Sequence, residues 1–434
     1  MGRLLSDVLA SGFKEEIEAL AKARSEEERL RKRKRAGGDG DGGGTGGEGG
    51  GGGRGRGRNV ITLEDRMKEI NRILQVNYES DEDDDDLEEL YQDLYQHLVH
   101  FPVLDFTNKE SINVFTLGMA LQIGPLAKLE ILELGMQVGS EEEMESLADA
   151  IDMGHLPSLK FLNVSEIQFD DCDQVGVKAL SRALSTGFNF LSLEQLHLVE
   201  NDICDEGIRV LSLVLAGGSV ASLKHLNLRY NHIGPEGAKH LALALESGRV
   251  PRLLELELSR NCIGDEGAEA LSRAFASGKV RGLDTLGLWM NDIEAKGATA
   301  LARALESGNL PALTDLGILD FDDDGTKAIV RCFSSGHVRS LEKVHFEHIE
   351  KQTAIDLAKS VLEPGQLPNL QELRLTYMDL ETVEAFILAY ENNGSLIAEL
   401  QVDWDSAPQV QRLEDRFNQV RDRNIRLTQT FTAP

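Results

Sequence analysis

The chain has 434 residues, 41% of them hydrophobic and only 5% aromatic, with 45 Lys and Arg against 74 Asp and Glu. That composition suits a large ordered region with an aliphatic core, and its net charge of −29 gives no general attraction to nucleic acid. Cys172, Cys204, Cys262 and Cys332 are scattered without C-x-x-C spacing, which excludes a metal knuckle or a disulfide framework and fits a reducing compartment. No secretory apolar segment follows Met1, and the most apolar stretch, Ile112 to Leu126, is interrupted by Asn113, Thr116, Gln122 and Pro125, so no membrane span is expected.

Residues 1–58 hold 13 basic and 10 acidic side chains, leaving 32 against 64 on the remainder, so the front carries +3 and the rest −32. Leu5, Leu9, Phe13, Ile17 and Leu20 have the spacing of an amphipathic helix that runs into the basic segment Arg29 to Arg35. Within it, Arg31, Lys32, Arg33, Lys34 and Arg35 match a nuclear-import cluster; contact with nucleic acid, together with Arg54, Arg56 and Arg58, and a solvated tail are the other readings. The opening Met1-Gly2-Arg3-Leu4-Leu5-Ser6 fits an N-myristoylation pattern at Gly2, with Asp7 an unfavourable neighbour, and membrane attachment is expected only if that acyl chain is added. Ala36 to Gly57 is mostly glycine and reads as a flexible tether. Its G-x-G-x-x-G at Gly38, Gly40 and Gly43 arises from composition, with no strand before it or helix after it, so no nucleotide cofactor is implied.

Residues 59–100 are predicted to cap the periodic region that begins at Phe101. Leu63, Met67, Ile70 and Leu74 give one helix, and the acidic run Ser80 to Asp86 leads into a second bearing Leu87, Leu90, Leu94 and Leu98. Carboxylates at that helix N-terminus are favourable, and a contact with a basic partner is the competing role.

Residues 101–405 are periodic. Leu193-x-x-Leu196-x-Leu198-x-x-Asn201 recurs from Leu223, Leu253 and Leu283, at intervals of 30 residues, and degenerate copies begin at Phe101, Leu129, Leu159, Leu313, Leu341, Leu370 and Ile397, eleven in all. In each copy the alternating leucines predict a short strand, and apolar residues three and four apart in its second half predict a helix, as in Asp265 to Phe275. Gly207, Gly237, Gly267 and Gly297 sit in the first helical turn beside acidic residues, and Ser-Gly or Gly-Gly pairs close the helix. Such a unit cannot bury its leucines alone, so the expected fold is an α/β solenoid with a parallel sheet on the concave face and helices on the convex face. Residues 406–434 are expected to add a C-terminal helical cover carrying Leu413, Phe417, Val420 and Ile425.

The pattern L-x-x-L-x-L-x-x-N-x-I-G-x-E-G-A-x-x-L-x-x-A-L is matched by Leu223 to Leu245. The chain therefore resembles the ribonuclease-inhibitor-like class of leucine-rich repeats, which includes the ribonuclease inhibitors, the repeat arrays of NOD-like receptors and the Ran GTPase-activating proteins. The resemblance implies a horseshoe over roughly residues 100 to 405. It would also allow a catalytic asparagine among Asn201, Asn231, Asn261 and Asn291, although their own spacing reads as a ladder of amides bonded to turn backbone. His345 and His348 have metal-ligand chemistry but no third ligand by spacing, so no metal site is assigned.

Function must then sit on the variable positions two, four, six and seven places after each first leucine. These are Gln195, His197, Val199 and Glu200; His225, Asn227, Arg229 and Tyr230; Glu255, Glu257, Ser259 and Arg260; and Thr285, Gly287, Trp289 and Met290. Arg229, Tyr230, Trp289, Met290 and Arg260 have the residue types of a protein-binding hot spot, and Tyr377 and Trp404 occupy the seventh place of later units. Glu255 and Glu257 would steer a basic partner. Arg229 and Trp289 lie two strands apart, about 10 Å at the usual strand spacing, with Ser259 between them. The expectation is a monomeric, non-enzymatic scaffold, cytoplasmic or nuclear, that holds a protein partner; the rival is a GTPase-activating protein for a Ran-like GTPase.

Overall fold

The computed structural model describes residues 63–75, 84–107, 112–135, 141–166, 175–186, 192–317, 323–347, 349–362, 367–376, 380–391, 399–403, 415–416 and 418–419. The predicted first helix, Gly2, the basic cluster, the glycine tether, His348, Tyr377, Trp404 and the apolar residues of the predicted C-terminal helix lie outside them.

Eleven parallel strands form one sheet whose spatial order is their chain order. They are β1 (Val103–Asp105), β2 (Ile131–Glu133), β3 (Phe161–Asn163), β4 (Gln195–His197), β5 (His225–Asn227), β6 (Glu255–Glu257), β7 (Thr285–Gly287), β8 (Asp315–Gly317), β9 (Lys343–Glu347), β10 (Glu372–Thr376) and β11 (Glu399–Asp403). Every strand opens two residues after the first apolar residue of a unit. The helices α1 (Leu63–Leu74) and α2 (Asp84–Leu98) precede the sheet. Ten more separate successive strands: α3 (Val114–Gln122), α4 (Glu141–Asp152), α5 (Val175–Thr186), α6 (Asp205–Gly217), α7 (Pro235–Glu246), α8 (Gly264–Ala276), α9 (Ala295–Glu306), α10 (Asp323–Phe333), α11 (Lys351–Leu362) and α12 (Leu380–Glu391).

The register puts like on like. Leu196, Leu226, Leu256, Leu286 and Leu316 are direct partners across β4 to β8, so one aliphatic row runs through the array and is closed off by helices on the other side. These leucines are no more than 1% exposed. At roughly 25 cal/mol per Å² of apolar area, this row and its helical complement supply the main stabilisation. At the front, Ile70, Ile73 and Leu74 of α1 and Leu94 and Leu98 of α2 are fully buried in the same core, so the two helices cover the first unit. Apolar residues three places before the first leucine, Val220, Val250, Val280 and Leu310, are also buried and belong to the core although the leucine pattern does not include them.

Two polar devices tie one unit to the next. The Asn261 amide donates to the carbonyls of Leu228 at 3.0 Å and Leu258 at 2.9 Å, while its oxygen accepts from Ile233 N at 3.0 Å. Asn231 makes the equivalent bonds to Leu198 and Leu228 and accepts from Asn201 N and Ile203 N. Each bond set crosses from one unit to its neighbour. The second device is acidic. Asp205 Oδ1 accepts from the backbone N–H groups of Gly234 at 2.7 Å and Gly237 at 2.9 Å, and Asp265 does the same for Glu294 and Gly297 at 2.9 and 2.7 Å. An aspartate in the first turn of one helix thereby caps the next helix in the chain. A Cβ on Gly237 would run into Ile208 and Asp205, which is why glycine holds that position.

Replacing Asn261 with Ala leaves Ile233 N–H buried without its acceptor, whereas the Leu228 and Leu258 carbonyls keep bonds from Asn231 and Asn291. One orphaned N–H at ~1–3 kcal/mol plus two lost amide bonds gives a destabilisation of about 3 kcal/mol. Urea denaturation followed by circular dichroism measures it; a loss under ~1 kcal/mol would mean that the ladder is dispensable.

Candidate functional site

The face of the sheet opposite the helices displays a grid. One row, two places after each first leucine, reads His225, Glu255, Thr285, Asp315, Lys343 and Glu372; the next, four places after, reads Asn227, Glu257, Gly287, Gly317 and His345. Beyond the strands the pairing continues, because Tyr230 N donates to Ser259 O at 3.0 Å and Arg260 N to Trp289 O at 2.8 Å. Glu200, Tyr230, Arg260 and Met290, the residues seven places after each first leucine, all have left-handed backbone with φ of 56°, 55°, 57° and 54°. With Glu166 at φ 57°, that conformation turns the chain away from the sheet at the same point in five successive units, and no glycine marks it in the sequence.

Here Arg229, Tyr230, Arg260 and Trp289 interlock. The Arg229 guanidinium carbon lies 4.4 Å from the Trp289 ring centroid and 4.9 Å from that of Tyr230, and Arg260 lies 4.6 Å from each ring. Both cations thus contact both rings. The expected separation of about 10 Å between Arg229 and Trp289 rests on strand spacing alone; their side chains instead lean together across Ser259, which is fully buried. Ser259 is therefore part of the floor and not of the exposed face. Tyr230 and Met290 stand at the surface, 36% and 38% exposed.

Beside this cluster is a hollow of about 220 Å³ lined by Glu257, Thr285, Trp289, Asp315, Gly317, Lys343, Val344, His345 and Glu372. Gly317 lines it, and Gly287 is its partner on the neighbouring strand. A Cβ on Gly287 would collide with the Glu257 carboxylate, so the glutamate lies where that side chain would have stood, whereas one on Gly317 would only touch Trp289 Cδ1 at 3.7 Å. Glu257 accepts from Ser259 Oγ at 3.1 Å. Burial pushes its carboxyl above the ordinary range, with Glu255 and Asp315 adding to the rise and Ser259 and Arg229 opposing it. Glu257 is therefore a half-buried wall of the hollow and not the solvated steering charge that its position predicts. Glu255 is engaged as well, 2.7 Å from His225 Nδ1.

The asparagines do not reach this surface. Asn201, Asn231, Asn261 and Asn291 are at most 5% exposed and bonded to backbone, as the ladder reading requires. His345 lines the hollow, and among the described residues no group of three His, Cys, Asp or Glu side chains could hold a metal ion. The interlocked rings and cations, the left-handed turn residues and the glycine hollow were not foreseen from the sequence. The signal for the hollow was present as glycine at the same place in two neighbouring units, Gly287 and Gly317.

The family described as Leucine Rich repeat matches residues 191–212, 221–242 and 252–272. The chain carries leucine-rich repeats. No curated protein matches. Among solved structures, an internalin from Listeria monocytogenes is similar at 13% identity and a TM-score of 0.30, over 78% of this chain and 98% of that one.

Glu257→Gln removes a carboxylate whose ionised form is disfavoured by the fold. Because the folded-state pKa is raised, Glu257 costs stability as pH rises from below its ordinary value of 4.5 through the folded value. The variant is expected to melt higher than the parent at neutral pH and to match it in acid, where Glu257 is protonated in both folded and unfolded chains. Thermal melts across that range check it; a constant difference at all pH would assign the effect to packing.

Proposed function

We propose that the protein is a non-enzymatic scaffold that holds a protein partner on the concave face of its repeats, with Tyr230, Trp289 and Met290 as apolar anchors and Arg229 and Arg260 as polar ones. The observation that carries this reading is the interlocked cluster itself. Large amphipathic side chains near the middle of an eleven-stranded sheet are fixed by backbone bonding and mutual stacking, next to a hollow able to receive a side chain. Anchors ordered before binding lose little conformational entropy on association. The 30-residue unit with a helix in each connection fits the ribonuclease-inhibitor-like class.

The chain beyond its first 58 residues carries a charge of −32, which favours a partner that is basic overall and speeds its approach. The protein acts as a monomer in cytoplasm or nucleus, with Arg31 to Arg35 as the import signal. The absence of exposed asparagine among the four ladder positions supports a binder over a GTPase activator, and a purified Ran-like GTPase is expected to hydrolyse GTP at its intrinsic rate when the protein is added.

Trp289→Ala is expected to weaken the isolated partner's affinity by about tenfold or more, or ~1.4 kcal/mol, because the indole is both an anchor and the wall on which the arginines stack. Calorimetric titration of the partner, recovered by cross-linking to the wild-type protein, measures this. With circular dichroism unchanged, an unaltered affinity would remove the concave cluster as the site.

A further inference from the structure

Several cations elsewhere in the molecule are paired with carboxylates, whereas two on this face are held by aromatic rings. Lys160, Lys224, Lys239, Lys296 and Arg209 each meet a carboxylate within 3.0 Å. Arg229 and Arg260 have no carboxylate at ion-pair distance among the described residues, and their partners are the two aromatic faces. The Nε atoms of both are buried with no acceptor on the protein. What marks these two among the described arginines is a buried Nε without an acceptor beside two aromatic rings, and stacking on those rings orients the guanidiniums.

We infer that the Arg229–Arg260 pair is a receptor for a carboxylate side chain of the bound protein, an Asp or Glu flanked by apolar residues that contact Tyr230, Trp289 and Met290. This deepens the scaffold reading and rests on it. A guanidinium matches a carboxylate through two parallel N–H donors, and a planar fork already ordered by rings forms those bonds at low entropic cost. Charge selects the carboxylate over a phosphoryl group. Glu257 lies near Arg229, so Glu257 and one carboxylate from the partner together match the two cations, whereas a phosphoryl dianion would leave an excess of negative charge. A partner that is basic overall is thus expected to place one acidic residue at this point, which fixes its register on the sheet.

The test uses two arrays of short, terminally blocked peptides with randomised apolar neighbours, identical except that the central residue is Glu in one and Gln in the other, plus a phosphoserine-centred set. The full-length protein carrying Trp404→Phe leaves Trp289 as the sole tryptophan, so its fluorescence reports occupancy directly. Wild-type arginines are expected to favour Glu over Gln peptides by about tenfold, with Trp289 emission shifting on titration, and Arg229→Gln/Arg260→Gln to erase the preference. Arg229→Lys/Arg260→Lys keeps the charge but not the fork and is expected to retain only part of it, which separates recognition from misfolding. Equal binding of Glu and Gln peptides overturns the proposal, and phosphoserine peptides binding more tightly than Glu peptides overturns the choice of carboxylate. If both arrays bind equally and both are lost with Trp289→Ala, the carboxylate receptor fails while the docking surface stands; if neither binds and Trp289→Ala leaves the native partner's affinity unchanged, the docking surface fails with it.

Discussion

A buried amide that reaches from one unit into the next is the constraint on which the rest of the architecture depends. The leucine rows supply most of the free energy, but apolar contact is non-directional and would tolerate sliding between units. Asn231, Asn261 and Asn291 do not. Each spends both ends of its amide on backbone groups of two units, inside the core, where a missed bond is costly. In these units the ladder therefore fixes the point at which the chain leaves its strand, and the residues just before it, Arg229, Tyr230, Arg260, Trp289 and Met290, inherit that fixed position. The candidate face is held in place by a backbone bonded to a polar core.

The fold was legible because its signals are local and repeated. Leucines at fixed spacing placed eleven strands two residues after their first members, and the paired Ser-Gly residues placed the helix ends, with Gly248 and Gly278 taking up φ of 68° and 72° there. Val220 and Val250 were missed because the leucine pattern starts three residues after them, although with Val280 and Leu310 they recur every 30 residues. The left-handed turn at Tyr230, Arg260 and Met290 left no glycine to announce it; at Tyr230 and Arg260 backbone bonds to the next unit hold it.

The candidate surface was legible in its residue types and not in its geometry. A position count says that Arg229, Ser259 and Trp289 succeed one another across three strands, but how far long side chains lean over a small one depends on contacts made 30 and 60 residues away. The same limit applies to Glu257. Its place in the strand predicts a solvated charge, and only the neighbouring Gly287 reveals that the carboxylate folds down over bare backbone and loses water. Period-two patterning sorts residues between faces, and it carries no information about which of those on one face cover each other.

Keeping two guanidiniums close together has a cost that the rings offset only in part. A cation over an aromatic face gains about 0.5–1 kcal/mol at an exposed site and ~2 kcal/mol when desolvated, and here each of the two rings serves both cations. That attraction orients the arginines without neutralising them. A carboxylate on the protein would have done both, as Glu194 does for Lys224. Stacking instead leaves two positive charges with ordered donors on an otherwise acidic molecule, which is the arrangement expected where complementarity is completed from outside the chain. Two buried Nε donors without an acceptor on the protein are the physical mark that distinguishes these arginines from the others among the described residues.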